Sequence, residues 1–104
     1  MVLDADDKQE LPLDFSLAQN YPNPFNPTTT IEYSIPTTSY VRLTVYNIRG
    51  QTITTLLEGI KPPGRYEQIW NGTRLGGSQV ASGIYFYRLE TNQYTETKKM
   101  VLLK

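Results

Sequence analysis

Residues 20–27 read Asn20-Tyr21-Pro22-Asn23-Pro24-Phe25-Asn26-Pro27, and this proline strip marks where a β domain begins. Its three prolines each remove a backbone donor and fix φ at about −65°, which excludes a helix and a central strand. The residue before each proline is driven toward an extended conformation. We therefore predict a rigid, polyproline-like strip along a sheet edge, pinned by the aromatic side chains of Tyr21 and Phe25.

The rest of the chain alternates apolar and polar residues in short runs that end at turn residues. The runs cover residues 28–35, 40–48, 51–57, 65–70, 84–89 and 94–103. No stretch of about twelve residues has the period of an α-helix. Roughly seven short strands with turns every 8 to 12 residues are typical of an all-β sandwich.

Three of these runs carry more specific expectations. We expect the third strand to end at Gly59. Residues 84–89 are nearly all large and apolar, which predicts a central strand covered on both faces. The last run should be an edge strand whose lysines, Lys98, Lys99 and Lys104, discourage edge-to-edge pairing.

Composition restricts the chemistry available to the chain. Its 104 residues include no cysteine and no histidine, which excludes disulfides, thiolate metal sites and the commonest general base. The formal net charge is zero, without the basic concentration expected of a nucleic-acid binder. No apolar run reaches membrane-spanning length, and no signal peptide is visible. These features predict one non-catalytic domain with no cofactor, no metal, no nucleic acid and no membrane span.

The first fourteen residues differ from the rest in charge. They hold five acidic residues against Lys8. Short acidic termini of this kind are typical of segments outside a packed core. We predict that residues 1–14 are an acidic linker or a remnant of expression, and that the domain covers residues 15–104.

Carboxylates and tyrosines are the remaining candidates for chemistry or binding. Four glutamates fall at solvent-facing strand positions with no expected cleft, so surface solubility is favoured over a glycosidase pair: Glu32, Glu67, Glu90 and Glu96. Five tyrosines are candidates for a sugar-stacking platform, although packing against the core and across strands is favoured: Tyr40, Tyr46, Tyr85, Tyr87 and Tyr94. A carbohydrate-binding or accessory module of a secreted enzyme is therefore the alternative function.

The C-terminal run has two interpretations from physical chemistry alone. Lys98, Lys99 and Lys104 flank the apolar residues Met100, Val101, Leu102 and Leu103. The favoured interpretation is a structural edge strand with charged rims. The other is an addressable terminal strand that a second protein recognises by adding a strand to it.

Four segments resemble the C-terminal sorting domains of the type IX (Por) secretion system of Bacteroidetes-type bacteria. They are residues 21–31, beginning Tyr21-Pro22-Asn23-Pro24-Phe25-Asn26-Pro27, residues 41–50, residues 80–89 and residues 98–104. Order and spacing match over residues 15–104. The Trp70-Asn71-Gly72 loop also resembles the related immunoglobulin-like domain of flagellar hook-capping proteins, which adds a self-assembling domain as a third possibility.

The resemblance implies an all-β, seven-stranded, immunoglobulin-like antiparallel β-sandwich that serves as an export signal. The parent protein would cross the periplasm, be recognised by the outer-membrane translocon and reach the cell surface or the medium. A sortase-like surface peptidase would then remove the domain. On this resemblance the recognition residues are Gly83, Tyr85, Lys98, Lys99, Met100, Val101, Leu102, Leu103 and Lys104, and the structural pins are Tyr21, Pro22, Pro24, Phe25 and Trp70.

Overall fold

The structure, a computed structural model, describes residues 11–104 as two antiparallel β-sheets that enclose one core. One sheet has the strand order β1-β2-β5 and the other has the order β4-β3-β6-β7. The strands are β1 (Ser16–Leu17), β2 (Thr29–Ile35), β3 (Ser39–Asn47), β4 (Thr52–Lys61), β5 (Gly64–Trp70), β6 (Gly83–Thr91) and β7 (Thr95–Leu102). The predicted seven-stranded, all-β sandwich is confirmed. Most of the predicted acidic segment lies outside the described residues, and within them no helix is long and apolar enough to cross a membrane.

The core lies between the two sheets and follows the alternation of the sequence. In β2, Ile31, Tyr33 and Ile35 all point inward, because side chains two residues apart share one face of a strand. The same period buries a further set from the other strands: Val41, Leu43 and Val45 of β3, Trp70 of β5, Tyr85, Tyr87 and Leu89 of β6, and Met100 and Leu102 of β7. The apolar periodicity therefore determines which face of each strand is buried.

Two expectations about individual strands are wrong. β4 continues to Lys61, and Gly59 pairs with Val41 inside it rather than ending it. An edge strand tolerates a glycine, and the turn after Lys61 is made by prolines that lack backbone donors. β6 is central in its sheet, but its outer face is not covered, and Ile84 keeps 42% of its surface exposed. A two-layer sandwich has no third layer to cover that face.

The proline strip is a closed loop rather than an extended polyproline run. Its three X-Pro peptide bonds are cis. The main chains of Tyr21 and Thr30 exchange hydrogen bonds of 3.0 and 2.8 Å, so the loop opens and closes beside β2. Between those points it reaches the other sheet, where Phe25 pairs in parallel with Leu102 of β7. The strip thus connects the three-stranded sheet to the edge of the four-stranded sheet.

A buried tyrosine joins β6 to the residues that precede the strip. The Tyr87 hydroxyl donates to the Ala18 carbonyl at 2.7 Å and accepts from the Asn20 backbone N–H at 2.8 Å. The buried Asn20 side chain in turn donates to Thr29 Oγ1 at 2.9 Å and to the Pro22 carbonyl at 3.2 Å. Each buried polar group here has a partner, as stable interiors require.

We expect this arrangement to make the domain sensitive to alkaline pH. Burial raises the pKa of Tyr33 and of Tyr87 to about 12, whereas the pKa of a tyrosine in an unfolded chain is about 10. The folded pKa is the higher one, so this contribution to stability is present below about pH 10 and is lost as pH rises toward about 12. Tyr87→Phe should lower the free energy of unfolding at neutral pH by about 1–3 kcal/mol and flatten its fall above about pH 10. Urea unfolding across this pH range measures both effects. If the free energy of unfolding fell equally steeply with pH in the unaltered chain and in Tyr87→Phe, the assignment to Tyr87 would be refuted.

Candidate functional site at the C-terminal strand

The predicted recognition segment, residues 98–104, is divided by the pleat of β7. Met100 and Leu102 point into the core and are fully buried, whereas Lys99 and Leu103 are exposed and Val101 is half-buried. The division follows from the two-residue period of a strand. The folded domain therefore presents only the outer set to solvent, while Met100 and Leu102 hold the strand in place.

The three predicted lysines do not form one cluster. Lys98 pairs with Tyr87 of β6 and so shares its inner face, where its ammonium lies 3.3 Å from Glu96 Oε2. The hydroxyl of Tyr94 also donates to Glu96, and this bond, followed by the interaction with Lys98, lowers the pKa of the Glu96 carboxyl. Lys99 lies on the outer face instead. Lys104 follows the strand, and its backbone N–H donates to Ser82 Oγ at 3.1 Å.

Residues of β6 complete the outer surface around Lys99. Ile84 lies opposite Val101 and Phe86 lies opposite Lys99 in the β6–β7 register. Together with Leu103, these residues form a surface of four apolar side chains and one lysine. We name it the C-terminal patch: Ile84, Phe86, Lys99, Val101 and Leu103. We did not include Ile84 and Phe86 among the recognition residues predicted from sequence. A signal for them was present, because the Asn92-Gln93 turn sets which residues of β6 lie opposite β7.

Gly83 and Tyr85 lie at the start of β6, beneath the patch rather than on it. Tyr85 is 7% exposed, and its ring meets Trp70 edge-on at a centroid distance of 5.5 Å. Its hydroxyl donates to the Ala81 carbonyl at 2.6 Å, and burial raises the pKa of this phenol. Gly83 pairs with Leu102 and has a φ of 154°, a conformation that side chains rarely adopt. Both residues shape the strand that β7 pairs with.

The proline strip is hydrogen-bonded to the outer edge of β7. The Phe25 N–H donates to the Val101 carbonyl at 3.0 Å, and the Leu103 N–H donates to the Phe25 carbonyl at 2.9 Å. The Val101 N–H donates to Asn23 Oδ1 at 3.0 Å. Just before the strip, Gln19 Nε2 donates to the Lys99 carbonyl at 2.7 Å. The first and last segments of the domain, far apart in sequence, are therefore in direct contact.

The five residues predicted as structural pins occupy different environments. Phe25 is 2% exposed and lies against Trp70 at a ring-centroid distance of 5.7 Å. Tyr21 is 50% exposed and holds the strip through its main chain instead. Pro22 and Pro24 are also exposed, and the Pro22 carbonyl accepts a 2.9 Å hydrogen bond from the Thr29 hydroxyl.

Gly72 shows how tightly the strip, the Trp70 loop and β7 approach one another. It has a φ of +78°, and an added Cβ would lie 3.3 Å from the Pro27 carbonyl oxygen and 3.5 Å from Leu102 Cδ2. Beside it, Trp70 Nε1 donates to the Thr73 carbonyl at 2.8 Å. Segments that matched as separate sequence motifs meet at this one point in the fold.

The five candidate tyrosines do not lie together as one stacking surface. Tyr85 and Tyr87 are core residues, and Tyr94 stacks on Phe15 at 5.2 Å. The ring of Tyr46 is covered by the Arg88 guanidinium at 4.8 Å. Tyr40, which is 49% exposed, lies at the other end of β3 from Tyr46. The candidates for stacking are thus divided between the interior and separate ends of the sheet.

The glutamates include one juxtaposition that the sequence did not reveal. Glu32 and Glu67 are direct cross-strand partners and line an open groove on the three-stranded sheet, together with Arg65 and Tyr66. The expectation of no cleft therefore needs correction, because the pairing of β2 with β5 leaves a concavity between their side chains. Glu90 is paired with Arg42 at 3.0 Å on the other sheet.

Comparison with protein families decides which family this arrangement represents. The model of the secretion system C-terminal sorting domain matches residues 19–103, which include the strip, the β6 motif and β7. The chain belongs to this family. It is a C-terminal sorting domain of the type IX secretion system, as the sequence resemblance predicted. No curated protein matches the sequence.

Two solved structures from Porphyromonas gingivalis share the fold. Dimeric latent PorU is 21% identical with a TM-score of 0.67 over 82% of this chain. PorZ, an essential bacterial surface component of the type IX secretion system, is 18% identical with a TM-score of 0.54 over 86% of this chain. The sorting domain spans only 9% and 11% of those two proteins.

Proposed function

We propose that residues 15–104 are a non-catalytic export signal that directs a covalently attached parent protein across the outer membrane through the type IX translocon. The parent would fold in the periplasm and be delivered to the cell surface or the medium, where a sortase-like peptidase would remove the domain. Residues 1–14 would link the domain to the parent. The family match over residues 19–103 is the observation that carries this proposal.

The C-terminal patch is the surface that we propose the translocon contacts. It lies on the terminal hairpin, and its apolar members Ile84 and Leu103 are 42% and 52% exposed. Lys99, opposite Phe86, gives the patch a positive charge at one end. Apolar surface combined with a charge is typical of protein recognition sites. The inner residues of the same strand contribute by keeping the patch flat and in register.

Export of a reporter tests this proposal. The full chain, fused behind a folded periplasmic reporter, should bring the reporter to the surface of cells that have a type IX system. The double variant Ile84→Thr/Leu103→Ser should lower the surface fraction about tenfold or more, because it removes the apolar part of the patch. Accessibility of the reporter to added protease on intact cells is the measurement.

A matched double variant separates recognition from stability. Ile60→Thr/Ile69→Ser makes the same kind of change at residues that are 73% and 59% exposed but lie away from the patch. It should be exported like the unaltered chain, and both variants should unfold within about 1 kcal/mol of it. Equal export of the two variants would refute the patch as the contact, and retention of the unaltered fusion in the periplasm would refute the export function.

A further inference from the structure

The backbone of β7 presents two different kinds of edge along its length. The hairpin closes with the Thr91 N–H bonded to the Tyr94 carbonyl at 2.8 Å, which fixes the alternation of the ladder. From Tyr94 onward, every second residue bonds to β6 in this register. The main-chain groups that point away from β6 therefore belong to Thr95, Thr97, Lys99 and Val101. The observed bonds from both polar groups of Val101 to the strip agree with this assignment.

The strip and Gln19, the residue before it, occupy one half of this edge and leave the other half open. Asn23 and Phe25 take both main-chain groups of Val101, and Gln19 takes the Lys99 carbonyl. Within residues 11–104, Thr95 and Thr97 have no backbone partner on their outward side. A row of unpaired donors and acceptors at a sheet edge is a template for an added strand.

Charge determines which side chains would suit such a strand. On the inner face, Glu96 and Lys98 already neutralise each other. On the outer face, the Arg88 side chain donates to Thr97 Oγ1 at 3.2 Å, and Lys99 follows two residues later. A strand lying beside Thr97 therefore meets two cations on its outer face and no unpaired anion from β7, which favours an acidic side chain there.

We infer that the outer edge of residues 95–99 is a docking edge for an extended segment of a partner protein that carries an acidic side chain beside Lys99. This rests on the proposed export function, and the partner is a component of the export apparatus. The added strand is short because Gln19, just before the strip, already takes the Lys99 carbonyl. The main chain of the added strand supplies most of the contact. The domain is thus recognised through backbone groups at the edge in addition to side chains on the patch.

Proline substitution at alternate positions distinguishes docking at the edge from loss of the fold. Thr97→Pro removes an outward N–H and the side-chain hydroxyl but no N–H that bonds to β6, and an edge strand tolerates proline with its N–H side toward solvent. Thr97→Val keeps the N–H and is the matched control for the lost hydroxyl. Lys98→Pro removes an N–H that bonds to β6 and should unfold the domain. Thr97→Pro should remain folded by circular dichroism yet lower the surface fraction of the reporter about tenfold or more, while Thr97→Val should be exported normally.

A second pair of variants keeps the inference testable if Thr97→Pro does not fold. Lys99→Glu should lower export about tenfold because it repels the acidic side chain, whereas Lys61→Glu on the opposite edge of the sheet should not. Normal export of both Thr97→Pro and Lys99→Glu would overturn the docking edge while leaving the export function intact. A dimer of the full chain that Thr97→Pro converts to monomer in ultracentrifugation would assign the edge to a second copy and also overturn it. Periplasmic retention of the unaltered fusion would refute the export function itself, and the inference with it.

Discussion

Replacing Phe25 by alanine should lower the free energy of unfolding by about 3–5 kcal/mol. The side chain is 2% exposed and packs against Trp70, so its loss leaves a cavity between the strip and the core. Its main chain also pairs with Val101 and Leu103, and a displaced strip would weaken both bonds. Small domains are stable by only about 5–15 kcal/mol, so this single change removes a large share of the total. Urea unfolding followed by tryptophan fluorescence measures the change directly, because the ring lies beside Trp70.

Tyr21→Ala is the matched control for this prediction. Tyr21 belongs to the same strip, but it is 50% exposed, and its hydroxyl donates to the Glu32 carboxylate at 3.2 Å on the surface. Its removal should cost less than about 1 kcal/mol. Hydrogen exchange adds a local readout, since the amides of Val101 and Leu103 should exchange faster in Phe25→Ala alone. If the two variants lost equal stability, the strip would not be anchored through Phe25.

The sheets could be predicted from sequence because their signals are local. Alternation with period two identified the inward faces of β2 and β3, and turn residues placed most strand ends within a few residues. β1 was missed because it has only two residues, Ser16 and Leu17, which is too short for any periodicity. Gly59 was misread because a glycine ends a strand only when the chain must turn there, and β4 does not turn until after Lys61.

The candidate site was harder to predict because its decisive contacts are long-range. The β7 side of the site follows from the pleat, which alone separates Met100 and Leu102 from Lys99 and Leu103. Nothing local in the strip indicates that Phe25 pairs with Leu102, since an isolated bridge involves no repeated pattern. The strip and the terminus therefore appeared from sequence to be separate ends of the domain, whereas the structure joins them edge to edge.

Deleting residues 98–104 should unfold the whole domain rather than only remove a recognition signal. The deletion takes Met100 and Leu102 out of the core, where both are fully buried. Removal of one such side chain costs about 2–5 kcal/mol, and the pair approaches the entire stability of a small domain. The strip also loses its partners on β7. We expect the truncated chain to lack the β-sheet signal in far-ultraviolet circular dichroism and to show no cooperative unfolding transition.

This outcome changes how a deletion at the C-terminus is interpreted. Loss of export after such a deletion would follow from loss of the fold alone, whereas the Ile84→Thr/Leu103→Ser variant removes patch surface from a domain that remains folded. A smaller deletion of Lys104 is the control, because its backbone N–H makes a single bond to Ser82 and its side chain is exposed. That deletion should cost less than about 1 kcal/mol. A truncated chain that kept a cooperative transition after loss of residues 98–104 would show that β7 is dispensable for folding, and the terminal strand would then be a detachable signal peptide rather than part of the sandwich.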